Sequence, residues 1–429
     1  MIRFFAFLVC TFSAVLAQAA DLKLEALTSP HGIPFTYVYS DVQSAVALSV
    51  GFKGGIANDD PNSPVAGYLV PSLIGLGAGG KTAAELYESF QDVGGQYSLS
   101  VDTDYTYGSL TAPAKGILGA AKLANLVLTK PDFPEKKLLE QREAIFKSIN
   151  ENLSYAETKS YVAFAKAITE PHPYDYYYNP APELFRSVTR DDLISWTKHH
   201  ITLDGIAVSI VGDVTQTEAA AIVDAALDGL AAKSDLPTVK SVVFKAPPAQ
   251  PIRINADTGD QVVIRIGAAF TTNQTLAERQ ATSLLIGSFG GDQKSRLFKD
   301  IREVSGATYG LQSSAEIAAL LSTNQVSGRI SKKGAEETIA LIKKSWDRFR
   351  EEGPTDEEIA NAKSSRAQSY LDTKRDHSQL ANQIRNYLVS GLSNEDFLNA
   401  PKSLASLNLK DKTLLAKLYP PNPVIVVVQ

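Results

Sequence analysis

Arg302 and Tyr309 stand seven residues apart at the end of the stretch Gly287-Ser-Phe-Gly-Gly-Asp-Gln-Lys-Ser-Arg-Leu-Phe-Lys-Asp-Ile-Arg302-Glu-Val-Ser-Gly-Ala-Thr-Tyr309. One is a permanent cation with several N–H donors, the other a phenol that donates a single hydrogen bond. Leu297, Phe298 and Ile301 recur at helical spacing and are expected to face a core. The helix is expected to break around Gly306 and the chain to return as a strand over Thr308–Ser313. The two donors then belong to different elements and can converge on one point, which plain helix spacing would not achieve. The plainer reading is a surface arginine and a half-buried strand tyrosine, so the rest of the chain has to decide.

Other chemistry is thinly represented. Of the five histidines, His199 and His200 are adjacent near a helix end and are expected to point to different sides. His31 sits in a turn, His172 precedes Pro173, and His377 in Arg375-Asp376-His377 reads as a solvated helix face. None has the spacing of a metal site. There is no Gly-x-Ser-x-Gly elbow for a serine nucleophile. Gly75–Gly80 precedes Lys81-Thr82 at the wrong spacing for a phosphate loop, and Tyr176-Tyr-Tyr178 reads as packing or interface.

The 429 residues exceed one ordinary core, so two or more domains are expected. At 44% apolar and 21% charged the composition is globular. A formal charge of −5, with no basic stripe among aromatics, argues against nucleic acid. Arg3, the apolar run Phe4–Leu16 and Ala17-Gln18-Ala19 read as a signal peptide over residues 1–19, cleaved before Ala20. Cleavage removes Arg3, the only cysteine and the only methionine, leaving a net charge of −6. An exported, cysteine-free, acidic chain fits a bacterial periplasm. No later run is long enough for a transmembrane helix.

Along the chain, buried strands are expected at Ala45–Phe52, Ile206–Gly212, Val262–Phe270 and Val424–Val428. Helices are expected at Pro64–Gly75, Ala83–Val93, Ile117–Leu128, Pro134–Asn152, Thr217–Gly229, Lys333–Glu352 and Thr355–Thr373, among others. Thr82 with Glu85 forms a capping-box pattern. Residues 233–252 carry four prolines and read as a linker. After it the order of elements begins again at an offset of about 220 residues, which points to an internal duplication. The expected fold is α+β: two homologous α/β-sandwich domains, 20–232 and 253–429, facing each other as a clamshell.

This duplicated order resembles the pitrilysin (insulinase) family of zinc peptidases, in particular its short bacterial members and the subunits of mitochondrial processing peptidase. The likeness covers essentially the whole mature chain. Gly77-Ala-Gly-Gly, Ala83-Ala-Glu-Leu, Gly94-Gly95 and Asp104-Tyr-Thr106 resemble the family's N-terminal domain, and His172-Pro-Tyr174 resembles its His-Pro-Tyr loop. Ser295, Arg296, Leu297, Phe298, Arg302, Glu303, Gly306 and Tyr309 match its second-domain motif. The resemblance implies that Arg302 and Tyr309 bind a substrate main-chain carbonyl near zinc.

The departure from the family pattern lies in the first domain. Active members carry His-x-x-Glu-His on the first helix, two imidazoles for zinc and a carboxylate that activates the bound water. Here those positions fall on Tyr68, Pro71 and Ser72, and Ser148 stands where the third ligand, a glutamate, belongs. The resemblance therefore implies no metal on this chain. The expected role is a non-catalytic subunit of a periplasmic zinc endopeptidase. Its partner would be a homologous chain that carries His-x-x-Glu-His and the zinc, with Arg302 and Tyr309 lent to the bound peptide. Two other readings stay open: a structural or peptide-binding scaffold of an envelope complex, and a self-sufficient peptidase.

Overall fold

The computed structural model describes residues 22–271, 275–305 and 310–429, with residues 302–305 described by their backbone alone. The expected signal peptide, Gly306 and Tyr309 lie outside the described residues. The first half contains β1 (Glu25–Thr28), β2 (Pro34–Tyr39), β3 (Ala45–Lys53), α1 (Ala66–Leu73), α2 (Ala83–Asp92), β4 (Gln96–Val101), β5 (Tyr105–Pro113), α3 (Ile117–Thr129), α4 (Glu135–Ser154), α5 (Ala156–Ile168), α6 (Arg190–His200), β6 (Ala207–Gly212) and α7 (Gln216–Leu227). The second half contains β7 (Ile252–Ile254), β8 (Gln261–Phe270), α8 (Leu276–Gly290), α9 (Arg296–Ser305), β9 (Gln312–Ile317), β10 (Ser322–Ser331), α10 (Ala335–Glu352), α11 (Asp356–Thr373), α12 (His377–Val389), α13 (Asn394–Ser406), α14 (Lys412–Leu418) and β11 (Val424–Val428).

The duplication is visible in the sheets. One sheet has the order β1-β2-β6-β3-β5-β4 and the other β9-β10-β8-β11-β7. Setting β1 aside and reading the second backwards, the orders correspond strand for strand. Each sheet also has one parallel pair at the same place, β2 with β6 and β7 with β11. The remaining pairs are antiparallel. The fold is α+β with two domains, as the element order predicts.

The two compact units are nevertheless not the contiguous stretches 20–232 and 253–429. The first comprises residues up to Ser148, Pro173–Val239 and Ser369–Ala400; the second comprises Ile149–His172, Lys240–Gln368 and Pro401–Gln429. The stretch 233–252 holds one of the five changes between them, at Val239 and Lys240. It is hydrogen-bonded rather than loose: Pro237 O accepts from Asn58 Nδ2 at 2.9 Å, and Val243 O accepts from Glu170 N at 2.9 Å.

In the first unit β3 and β6 are buried along nearly their whole length, so both sheet faces must be covered. Leu48, Val50 and Phe52 of β3 pack toward Ala124 and Leu128 of α3 and Ala226 and Leu227 of α7. The alternate residues Ala47, Ser49 and Gly51 are small, and α12 lies over them. A Cβ on Gly51 would meet Val389 Cγ1 at 2.3 Å, so only glycine allows this approach. Ser49 Oγ and Ser109 Oγ both donate to Asn382 Oδ1, at 2.7 and 3.1 Å, and Ser209 Oγ donates to Ala381 O at 2.6 Å.

His377 is expected on a solvated helix face; the helix is present, but this end of it is buried, and the expectation of solvation is corrected. His377 opens α12 fully buried, with Nδ1 2.6 Å from Ala45 O and Nε2 2.8 Å from Ser40 Oγ. Beside its apolar residues Leu380, Ala381 and Ile384 the helix carries Asn382, because the sheet face it covers presents serines as well.

The second unit uses the same plan. α5 covers β8 and β11, with Phe164 and Ile168 against Val263, Val424, Val426 and Val428. Arg265 of β8 donates from Nε to Ser160 Oγ of α5 at 3.3 Å, and from Nη1 to Gln325 Oε1. Phe289, Trp346, Phe349 and Tyr419 form an aromatic cluster with ring centroids 4.7–5.9 Å apart. Among the described residues no helix is long and apolar enough to cross a membrane.

Candidate functional site

The helix expected to carry Arg302 is α9, and the sequence around it explains how it is held. Leu297 and Ile301 are each 1% exposed and pin one face into the second unit. Ser295 Oγ donates to Asp292 O at 2.5 Å just before the helix. Arg296, 5% exposed, donates from Nε and Nη2 to the two oxygens of Glu358 at 3.1 and 2.7 Å, and from Nη2 to Gly353 O at 3.1 Å. Glu358 is also the acidic partner of a capping pattern on α11, accepting from Thr355 N at 2.8 Å. One turn further along α9, Asp300 accepts from Ser345 Oγ at 2.6 Å and from Arg348 Nη2 at 2.7 Å. Ser295, Arg296 and Leu297 thus anchor the helix rather than meet a substrate. Arg302 lies in its last turns; the convergence of its side chain with Tyr309 falls outside the described residues.

The positions that the resemblance assigns to zinc ligands lie in the first unit. Tyr68, Pro71 and Ser72 are on α1 and Ser148 on α4. Tyr68 Oη donates to Tyr177 O, and burial pushes the phenol up to about 12, so it stays a neutral donor. Its ring meets Phe185 edge-on at 5.7 Å. Pro71 has no donor or acceptor in its side chain, and Ser72 Oγ is spent on Leu69 O of its own helix at 2.9 Å. Ser148 is exposed. Zinc requires thiolate, imidazole or carboxylate ligands, and these four residues supply none. Among the described residues no group of three His, Cys, Asp or Glu side chains is placed to hold a metal ion.

A polar cluster beside α1 escapes a reading by motif. Asp59 is buried; its Oδ2 accepts from Gly67 N at 2.9 Å and its Oδ1 from Trp196 Nε1 at 2.7 Å. It therefore caps the first turn of α1 from outside the helix and ties α1 to α6. A Cβ on Gly67 would stand 3.0 Å from Asp59 Oδ1 and 3.1 Å from Trp196 Nε1, so glycine lets the carboxylate reach the backbone. His200 stacks on Trp196 with ring centroids 4.1 Å apart and points Nε2 toward Asp59 Oδ1 at 3.8 Å. Burial raises the Asp59 carboxyl to about 7 and lowers His200 to about 4. The sequence holds Asp59 and Trp196 far apart, and only Asn58-Asp-Asp60 before a proline marks the place.

His199 and His200, expected on different sides of the helix end, both line one cavity of about 220 Å³, with Asp60, Ser63 and Asp235 also in its wall. The helix stops at His200, and Asp235, Leu236 and Pro237 complete the wall of the cavity.

The fold defines the class: a duplicated α+β scaffold of two like sheets, each covered by helices. Comparison with known proteins places that scaffold among peptidase-type folds. Residues 187–366 match the family model described as the Peptidase M16 inactive domain. The chain is 22% identical to an uncharacterized zinc protease of Rickettsia bellii over 63% of its own length, and spans 64% of that relative. The fold resembles a crystal structure of a peptidase M16 inactive domain from Pseudomonas fluorescens, with a TM-score of 0.86 and 19% identity over 95% of this chain and 98% of that one. It also resembles the periplasmic protease PqqL of Escherichia coli, with a TM-score of 0.77 and 14% identity over 95% of this chain and 46% of that one. By these comparisons residues 187–366 resemble the M16 inactive domain, and the fold of the chain resembles that of a solved chain of that type.

Proposed function

We propose that this chain is the non-catalytic, substrate-binding subunit of a periplasmic heterodimeric zinc endopeptidase. The observation that carries the reading is an asymmetry. The helix bearing Arg302 is held by a buried arginine–glutamate pair, while the helix that should bear zinc ligands carries Tyr68, Pro71 and Ser72. Loss of the metal side with the donor side anchored is what a shared site requires. In this reading Arg302 donates charge-assisted hydrogen bonds to the carbonyl oxygen of a bound peptide and Tyr309 donates a neutral one. The zinc and its activated water belong to a homologous partner with His-x-x-Glu-His. The apolar run and Ala17-Gln18-Ala19 support export, and the periplasmic assignment of the Escherichia coli relative agrees with it.

The test is co-expression with a His-x-x-Glu-His homologue, followed by zinc analysis and peptide cleavage by the chain alone and by the complex. The complex is expected to bind zinc and cleave, and the lone chain to do neither. A donor aimed at a developing oxyanion contributes roughly 3–4 kcal/mol. Arg302→Ala should therefore lower kcat of the complex by about 10²-fold or more while assembly persists. Unchanged kcat would remove Arg302 from the mechanism. Cleavage by the lone chain would remove the subunit reading, and failure of every such homologue to pair would favour a scaffold.

A further inference from the structure

We propose that this chain is built to keep its fold in the presence of two-electron oxidants such as hydrogen peroxide and hypochlorous acid. Two observations carry this, and neither depends on a peptidase partner. Met1 and Cys10 are the only sulfur-bearing residues, so residues 11–429 hold neither a thiol nor a thioether. Methionine is a common filler of irregular gaps in a core, yet both units pack without it. One cluster uses Val38, Ala47, Val211, Leu380 and Ile384, and another Phe164, Ile168, Val263 and Val426. The second observation is where the remaining oxidisable rings stand. Trp196 and Trp346, the two tryptophans, are 4% and 0% exposed, and His200 and His377 are 2% and 0% exposed.

The chemistry at stake is oxygen transfer to sulfur. A thioether takes one oxygen atom and becomes a sulfoxide; peroxide leaves as water, and hypochlorous acid as chloride and a proton. The sulfoxide is polar, and inside a core its oxygen lacks a hydrogen-bond partner. Thiols react with the same oxidants to give sulfenic acid and its higher oxides. Beyond residue 10 the chain offers no sulfur to either reaction. Hypochlorous acid also attacks indole and imidazole rings, and burial keeps both tryptophans and two of the five histidines out of its reach. Economy of sulfur alone would remove the same residues without protecting the rings, so the tryptophans separate the two explanations.

The full chain is treated with graded hydrogen peroxide and, separately, hypochlorous acid, beside a double variant carrying Leu24→Met and Leu388→Met. Both leucines are half-buried and packed against the cluster of Val38, Leu380 and Ile384, where an oxidant can reach them and methionine fills similar space. Peptide mapping counts the oxygen atoms taken up, urea unfolding gives the midpoint, and tryptophan emission reports on the rings. At the dose that converts both introduced methionines, the wild type is expected to keep its emission, and its midpoint within about 10%. The variant is expected to lose about a fifth of its midpoint, since its new oxygens face an apolar cluster. A wild type that loses emission or falls with the variant would overturn the proposal and leave sulfur economy as the explanation. An oxidised variant that keeps its midpoint would overturn it too, because methionine would then cost this fold nothing.

Discussion

Arg296→Met tests whether α9 is held in place by one buried pair. The side chains of Arg296 and Glu358 are 6% and 8% exposed. An exposed ion pair contributes about 0–1 kcal/mol, whereas removing one member of a buried pair costs about 3–5 kcal/mol because the other charge is left without a counterion. Methionine fills similar space but abandons the two bonds to Glu358 and the one to Gly353 O. Glu358 keeps the Thr355 N–H, which compensates only part of a buried negative charge. We therefore expect a loss of about 3–5 kcal/mol in the unfolding free energy of the second unit. Adding Glu358→Gln should return more than half of it, since no orphan charge remains. Urea unfolding followed by fluorescence of the buried Trp346 gives the double-mutant cycle. A cost below about 1 kcal/mol for Arg296→Met would place the pair with surface bridges and refute the clamp. If the chain is the subunit proposed above, the same variant should lower kcat of the complex without altering its zinc content, because it loosens the helix that carries Arg302.

The Asp59–His200 pair should leave a mark on stability against pH. Asp59, raised from 3.8 to about 7, contributes stability that is fully present below pH 3.8 and is lost as pH rises through about 7. His200, lowered from 6.5 to about 4, contributes stability present above pH 6.5 and lost as pH falls toward 4. The two slopes oppose each other between pH 4 and 6.5. His200→Gln should unmask the Asp59 slope, so that wild type minus variant rises by about 1.4 kcal/mol per pH unit across that window; urea midpoints at several pH values that show a constant difference would contradict the assignment. Trp196→Phe removes one donor to Asp59 and should push that carboxyl above its wild-type value, measurable by carboxyl NMR titration; a lower value would refute the role of the indole. Asn382→Ala leaves the hydroxyls of Ser49 and Ser109 without their shared acceptor and should destabilise the first unit by about 1–3 kcal/mol; denaturant unfolding with no measurable loss would show that water replaces the amide.

Much of the architecture was legible because strong local patterns went uncontested. Ala45–Phe52 and Val262–Phe270 are apolar runs that only a doubly covered strand explains, and both are central strands. Thr82 with Glu85 and Thr189 with Asp192 close reciprocal caps where the residue types predict them. The likeness of Ser295–Arg302 to the pitrilysin motif identified a helix that is present, but not what Arg296 does in it. That depended on Glu358, which arrives from another element. Asp59 was invisible for the same reason: its donors are a backbone N–H on α1 and an indole on α6, and neither leaves a trace in local spacing.

The sequence by itself determined that the chain is duplicated and that each half is α+β. These follow from residue type and periodicity, which act over a few positions. Only the tertiary structure decided which helix covers which sheet. α5 and α12 occupy the same place in the repeat, yet α5 covers the sheet of the second unit and α12 that of the first. Either helix has an apolar stripe that any sheet face could bury. The choice rests on particular pairings, Asn382 with Ser49 and Ser109, and Ser160 with Arg265. A buried polar group tolerates only the neighbour that completes its hydrogen bonds, and that neighbour is named by the fold rather than by adjacency in the chain.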